Sequence, residues 1–149
     1  MMAFGMNARA THTEFIKSKE TGAIYFFETS SRISEAHLAE IVEAATNVNL
    51  WAEWARSEDE KAKNLKYQLP KITKHYAGIL LTLSKYEHPY LSTFNAKEVY
   101  FKVPLAYHAG LIVKSKEKNR VLELMDSYVL WFAQDLSTVA IAPELKKFH

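Results

Sequence analysis

"KEVYFKVPLAYHAGLIVKS", Lys97–Ser115, carries the clearest strand signal in the chain. Val99, Phe101 and Val103 alternate with Tyr100 and Lys102, the period of two of a strand with one buried face. The second half, "AYHAGLIVKS", reads as the hairpin partner or near neighbour of the first. Upstream, "GILLTLSKY" from Gly78 is a short apolar run with strand character, and "HPY" turns the chain. Downstream, residues 116–134 give the clearest helix, with Val121, Met125, Tyr128, Val129 and Phe132 on one face.

The N-terminal half adds further elements. Residues 1–10 read as a loose end. Thr21-Gly22 predicts a turn and "AIYFFET" a strand. Ser34 is a good helix N-cap, with Glu35 in the first turn and Leu38, Ile41, Val42 and Ala45 at helical spacing. Asn47 and Asn49 weaken that helix, so "LWAEWARS" continues it or starts another. Ser57 and Glu60 fit a capping box, which predicts a helix from Glu58. Pro70 predicts its end, because proline offers no N–H and disfavours helical geometry at Leu69. "STVAIAPEL" reads as a last short strand ending at Pro143. No internal repeat or linker is visible. The expected class is α+β: a mainly antiparallel sheet with two or three packed helices, a single compact domain over residues 11–149 after the loose end.

Composition narrows the chemistry. The 149 residues can support a sizeable core, and 48% hydrophobic and 24% charged residues are ordinary globular values. With no cysteine there are no disulfides, thiol nucleophiles or Cys-ligated zinc. The four glycines, at 5, 22, 78 and 110, form no phosphate loop and no G-x-S-x-G elbow. No apolar run approaches the roughly 20 residues needed to span a bilayer. The N-terminus lacks a charged start followed by an apolar signal core, so a cytoplasmic chain with no membrane partner is expected.

No pair among the six histidines has the i,i+4 spacing of a helical metal site, and His108 is the best single candidate. Asp59, Asp126 and Asp135 do not sit at the end of an apolar strand, where paired acids would present to magnesium. Glu28, Glu87 and Glu98 have no spacing that recommends them over other glutamates. Trp51 and Trp54, three apart, share a helix face, which packing explains. No catalytic residue, metal or cofactor is therefore expected.

Two basic clusters remain. Lys61, Lys63, Lys66, Lys71 and Lys74 are interleaved with Tyr67, His75 and Tyr76, and Lys114, Lys116, Lys118 and Arg120 follow in "KSKEKNR". Lysine and arginine neutralise phosphates, and tyrosine faces stack bases. Neighbouring Glu58, Asp59, Glu60 and Glu117 partly cancel these charges, and the net charge is only +2. The residues expected to hold nucleic acid are Lys61, Lys63, Lys66, Tyr67, Lys71, Lys74 and Tyr76.

At "RSEDEKAKNLKYQLPKIT" the sequence resembles the virulence-E-associated N-terminal domain, a primase-like domain of mobile elements and phages. The resemblance rests on Arg56, Asp59, Glu60, Lys61, Leu65, Lys66, Gln68, Leu69, Pro70 and Thr73. It extends through Ala77-Gly78 and "ILLTLSKY", where the family's first catalytic strand falls. "VYFKVPLAYHAGLIVKS" and "DLSTVAIAPELKKF" resemble its later strand pair and closing segment. The family strand carries two aspartates that hold divalent metal, and Thr82 and Ser84 stand at those positions here. The glycine-rich turn is reduced to "AYHAG".

The resemblance therefore implies a primase-like scaffold without its metal site. The expected role is a non-catalytic module that binds single-stranded nucleic acid or a replication or defence protein. Its rivals are a protein-binding inhibitor or regulator of a host factor, and a divergent metal-dependent nucleotidyltransferase using Glu and His108.

Overall fold

The computed structural model describes residues 10–33 and 35–138. Contacts divide the chain into two units, Met1–Glu43 with Val48–Ile72 and Ala44–Asn47 with Thr73–His149.

The first unit opens with two antiparallel strands, β1 (His12–Lys17) and β2 (Ile24–Ser30). The turn between them forms where Thr21-Gly22 predicts it. Gly22 sits at φ +71°, a conformation only glycine adopts freely, and the Ser18 N–H closes the loop on the Ala23 carbonyl at 2.9 Å. Phe15 pairs with Phe26 and Ile16 with Tyr25, while Phe27 is the extra residue of a bulge.

Helix α1 (Leu38–Thr46) begins at the first residue of the predicted spacing, later than a cap at Ser34 would start it. Ala36 and His37 take left-handed φ values of 55° and 61°, so Glu35, expected in the first turn, and His37 both precede the helix. Ser34 lies outside the described residues. Helix α2 (Leu50–Ala62) is a separate helix, and its cap is Asn49, whose side chain accepts the Ala52 N–H at 2.9 Å. The expected capping box is not used. Ser57 lies mid-helix and its hydroxyl donates to the Trp54 carbonyl at 2.8 Å. Nor does Pro70 end the helix. Asn64 does, at φ 53°, donating to the Lys61 carbonyl while the Leu65 N–H reaches Glu60 at 2.8 Å. This is a Schellman stop with asparagine in the left-handed position.

The second unit holds a three-stranded antiparallel sheet in the order β3 (Tyr76–Leu83), β5 (His108–Ser115), β4 (Val99–Lys102). Helix α3 (Lys118–Trp131) follows β5, runs into a π-helical turn at Phe132–Leu136, and packs on β3 and β5. The sequence places this helix face correctly. Val121 and Phe132 are buried, and Met125, Tyr128 and Val129 pack against the same core. Leu111 and Val113 on β5, both fully buried, and Phe94 complete it. Phe94 meets Tyr128 edge-on at 4.9 Å and Phe132 at 5.1 Å. Central β5 is apolar on both faces, which explains its unbroken buried run from Ala109 to Val113.

The alternation of β4 breaks at a bulge. Val99 pairs with Val113 but Phe101 pairs with Ile112, leaving Tyr100 as the inserted residue. Val99 therefore joins the core under α3, while Phe101 follows Ile112 to the opposite face. On that opposite face the neighbours come close. A Cβ on Gly110 would lie 2.5 Å from Val103 Cγ2 and 2.7 Å from Leu81 Cδ1.

Among the described residues, two antiparallel sheets and three α-helices make the fold α+β. No helix among the described residues is long and apolar enough to cross a membrane. The expectation of a loose N-terminus falls, but for residue 10, outside the described residues. So does that of a last strand beyond Thr138. Ser137 itself forms an isolated bridge with Ser84.

Candidate nucleic-acid interface

The register of β3 on β5 places Tyr76 opposite Ser115. This pairing brings the end of the first basic cluster to the start of the second. The chain enters β3 through Thr73 and His75, whose N–H groups donate to Thr46 and Ala45 at the end of α1, each at 2.9 Å. It leaves β5 through Lys114, Ser115 and Lys116. The Ser115 hydroxyl then accepts the Glu117 N–H at 3.1 Å, which turns the chain into α3. Glu117 occupies the N-cap position of α3 without a side-chain cap bond.

These segments and the start of β4 surround an open cleft of about 520 Å³. Lys97, Lys114, Lys116 and Arg120 line it, and among the described residues its carboxylates are Glu98 and Glu117. Four cations against two anions leave the cleft net positive. His75 also lines it, and its buried Nδ1 has no hydrogen-bond partner among the described residues.

Two of the cationic side chains, Arg120 and Lys114, are held in place. Arg120 donates from Nε to Glu98 at 3.0 Å and lies 3.5 Å from Glu123. The Arg120 hydrogen bond holds the Glu98 carboxyl below its usual value of 4.5, so it stays ionised at neutral pH. The same bond raises Arg120 further. Lys114 Nζ stands 3.9 Å over the Tyr100 ring, a cation–π contact supplied by the β4 bulge residue. Chemically, the cleft can neutralise phosphate and donate several charge-assisted hydrogen bonds to it.

The seven residues expected to hold nucleic acid separate. Lys61, Lys63, Lys66, Tyr67 and Lys71 belong to the first unit, and Lys74 and Tyr76 to the second. Lys74 and Tyr76 flank cleft-lining His75, and the Tyr76 ring is half exposed. Lys63 pairs with Asp59 at 2.7 Å across one exposed helical turn. Lys61, Lys66 and Lys71 are exposed.

Tyr67 is already engaged. Its hydroxyl donates to Glu53 at 2.8 Å, and the Arg56 guanidinium stands 5.1 Å over its ring. Arg56 also donates to Glu53 and to the Gln68 carbonyl, both at 2.6 Å. This clasp pins the connector to α2 and sets a guanidinium against one face of the ring. Burial, then the bond to Glu53, raises the Tyr67 phenol. The sequence marks Lys114, Lys116 and Arg120 as a basic run but carries no signal for Lys97 or Glu98, which only the β4–β5 pairing brings in.

Thr82 and Ser84, where the resemblance would place metal-binding acids, have partners for their hydroxyl groups. Thr82 Oγ1 and Ser137 Oγ lie 3.0 Å apart, and the buried Ser84 hydroxyl accepts the Tyr86 N–H at 3.0 Å. A small recess of about 170 Å³ at Thr82 is lined otherwise by Leu80, Leu81, Val129, Phe132, Ala133 and Ser137. His108 Nδ1 lies 2.8 Å from the Ala106 carbonyl. Among the described residues, no three His, Asp or Glu side chains come together to hold a metal ion. No protein-family model matches the chain, and no curated protein matches its sequence.

Proposed function

We propose that the chain is a non-catalytic binding module that holds single-stranded nucleic acid by its phosphates at the cleft beside the start of α3. The observation that carries this reading is the convergence of Lys97, Lys114, Lys116 and Arg120 on one open recess, opposed among the described residues by Glu98 and Glu117. The half-exposed Tyr76 ring, on the strand position opposite Ser115, supplies an aromatic face for a base. Duplex grooves demand a protruding helix or strand, whereas a recess with an aromatic at its edge suits a flexible single strand.

A primase-like scaffold from a mobile element or phage belongs to the same proposal. It draws on the resemblance between Arg56 and Thr73. With Thr82 and Ser84 where the family carries acids, such a scaffold would hold a strand and not extend one.

Fluorescence anisotropy with single-stranded DNA and RNA oligonucleotides across a salt series tests it. Binding at low salt should fall steeply as salt rises. Lys114→Glu with Lys116→Glu should lose the binding while melting close to the parent. Removing two phosphate contacts by Lys114→Ala with Lys116→Ala should lower the log–log salt slope by roughly 1.4. No binding at low salt, or binding indifferent to the charge reversals, would overturn the proposal.

A further inference from the structure

The residues that line the cleft differ in depth. His75, Lys114, Ser115 and Arg120 are half-buried, whereas Lys97 and Lys116 are exposed. The first four form an inner wall and the two exposed lysines a rim. The inner wall still has hydrogen bonds to give. The Ser115 hydroxyl accepts the Glu117 N–H at 3.1 Å, which leaves its own proton for another acceptor. Arg120 turns Nε and Nη2 to Glu98 and Nη1 to Glu123, and each Nη nitrogen carries a second hydrogen. His75 has Nδ1 buried, so it meets a ligand through Nε2. Lys114 has the Tyr100 ring on one side of its ammonium. These donors arrive from three directions: the entry to β3, the end of β5 and the first turn of α3.

We propose that the group this cleft selects is a phosphate monoester, the phosphorylated end of a strand, over the diester phosphates along it. The proposal rests on the strand-holding reading of the same cleft and names what that cleft prefers. Charge favours the end. Lys97, Lys114, Lys116 and Arg120 against Glu98 and Glu117 leave two positive charges unmatched. A diester brings one negative charge, whereas a monoester brings about −1.5 to −2 near neutrality. Donor geometry favours it too. A monoester presents three free oxygens, which suits donors converging from three sides, while a diester presents two and its chain must leave on both sides. Size agrees. A cleft of about 520 Å³ falls in the range of single-ligand pockets, roughly 300–1,000 Å³. Grooves that track a strand along its length hold roughly 4–16 nucleotides.

Fluorescence anisotropy of the full chain with one internally labelled oligonucleotide tests this. The oligonucleotide is made with a 5′-phosphate, with a 3′-phosphate, and with hydroxyls at both ends. A strand phosphorylated at one end should bind at least about tenfold tighter than the hydroxyl-ended strand, the worth of one charge-assisted hydrogen bond. A nucleoside monophosphate should displace it and the matching nucleoside should not. Ser115→Ala removes an inner donor without changing charge, so it should shrink the ratio between phosphorylated and hydroxyl-ended strands. Lys97→Gln with Lys116→Gln, at the rim, should weaken both strands together and preserve the ratio. Affinity indifferent to phosphorylation of either end overturns this proposal and leaves the strand-holding reading intact. A nucleoside monophosphate that binds as tightly as the phosphorylated strand keeps the monoester and overturns the strand. Failure of every one of these ligands to bind at low salt overturns both. The end comparison uses the parent chain, so it stands whether or not a variant folds.

Discussion

Glu98 and Arg120, twenty-two residues apart, meet at 3.0 Å and join the start of β4 to the first turn of α3. The pair sets the direction of the one arginine in the cleft and spends one of its carboxylates in doing so. Since the folded Glu98 carboxyl lies below 4.5, its contribution is present above the unfolded value and lost as pH falls through the folded one. Glu98→Gln should lose that contribution near neutrality, so the variant melts below the parent there and converges with it as pH falls below 4.5. Melting curves across an acid pH series check this. The same variant adds positive charge to the cleft, so its oligonucleotide affinity at low salt should rise.

Lys66→Glu with Lys71→Glu should weaken oligonucleotide binding far less than Lys114→Glu with Lys116→Glu. Both pairs change the net charge equally, so a difference reads location and not overall charge. Equal losses in anisotropy titrations would mean that the connector also contacts the strand.

Tyr67→Phe removes the hydroxyl bond to Glu53 and should cost about 1 kcal/mol, with no change in oligonucleotide affinity. The raised phenol makes the clasp fully effective below pH 10, with its contribution lost as pH rises through the raised value. Denaturant titrations at neutral and alkaline pH should show the parent, but not the variant, losing that increment.

Gly110→Ala should destabilise more than Gly78→Ala. At Gly110 the new methyl meets Val103, a branched side chain with little rotamer freedom, and the expected cost is about 1–3 kcal/mol. At Gly78 the nearest atom is the Met125 sulfur at 2.8 Å, on a flexible side chain that can move aside. Midpoints of urea unfolding for the two variants give the comparison.

Asn49→Ala should cost about 1 kcal/mol by leaving the Ala52 N–H without its cap. Ser57→Ala, at the position the sequence offered as a cap, should cost less. Helical circular dichroism during unfolding distinguishes the two.

The α+β class, the β3–β5 strands and the buried face of α3 were legible because each rests on a period that burial enforces. Helix ends were less so. Ser57 and Glu60 satisfy the spacing of a capping box, but the helical run already begins at Leu50, and an interior serine bonds back to Trp54 instead. Pro70 is a strong stop, yet Asn64 stops the helix first by taking the left-handed conformation. The bulge at Tyr100 had no sequence mark, so Phe101 was expected on the face that Val99 takes. The cleft was half legible. Its lysines stood out as a charged run, but Lys97 and Glu98 reach it only through strand pairing, and pairing is set by the whole sheet. Tyr67 looked like a free stacking face because nothing local announces Glu53 and Arg56, eleven or more residues upstream.

Fully buried Val113 is followed directly by Lys114, so the strand that centres the core also carries a wall of the cleft. The other walls arrive through β3 and β4, each registered against that same strand. An unfolded chain therefore has no cleft, and a ligand that fills it is linked to folding itself. At a hundredfold excess over its dissociation constant, such a ligand adds about 2.7 kcal/mol to stability. The melting temperature thus becomes a detector: phosphates, nucleotides and oligonucleotides can be ranked by how far each delays unfolding, without knowing beforehand which one the cleft was shaped for.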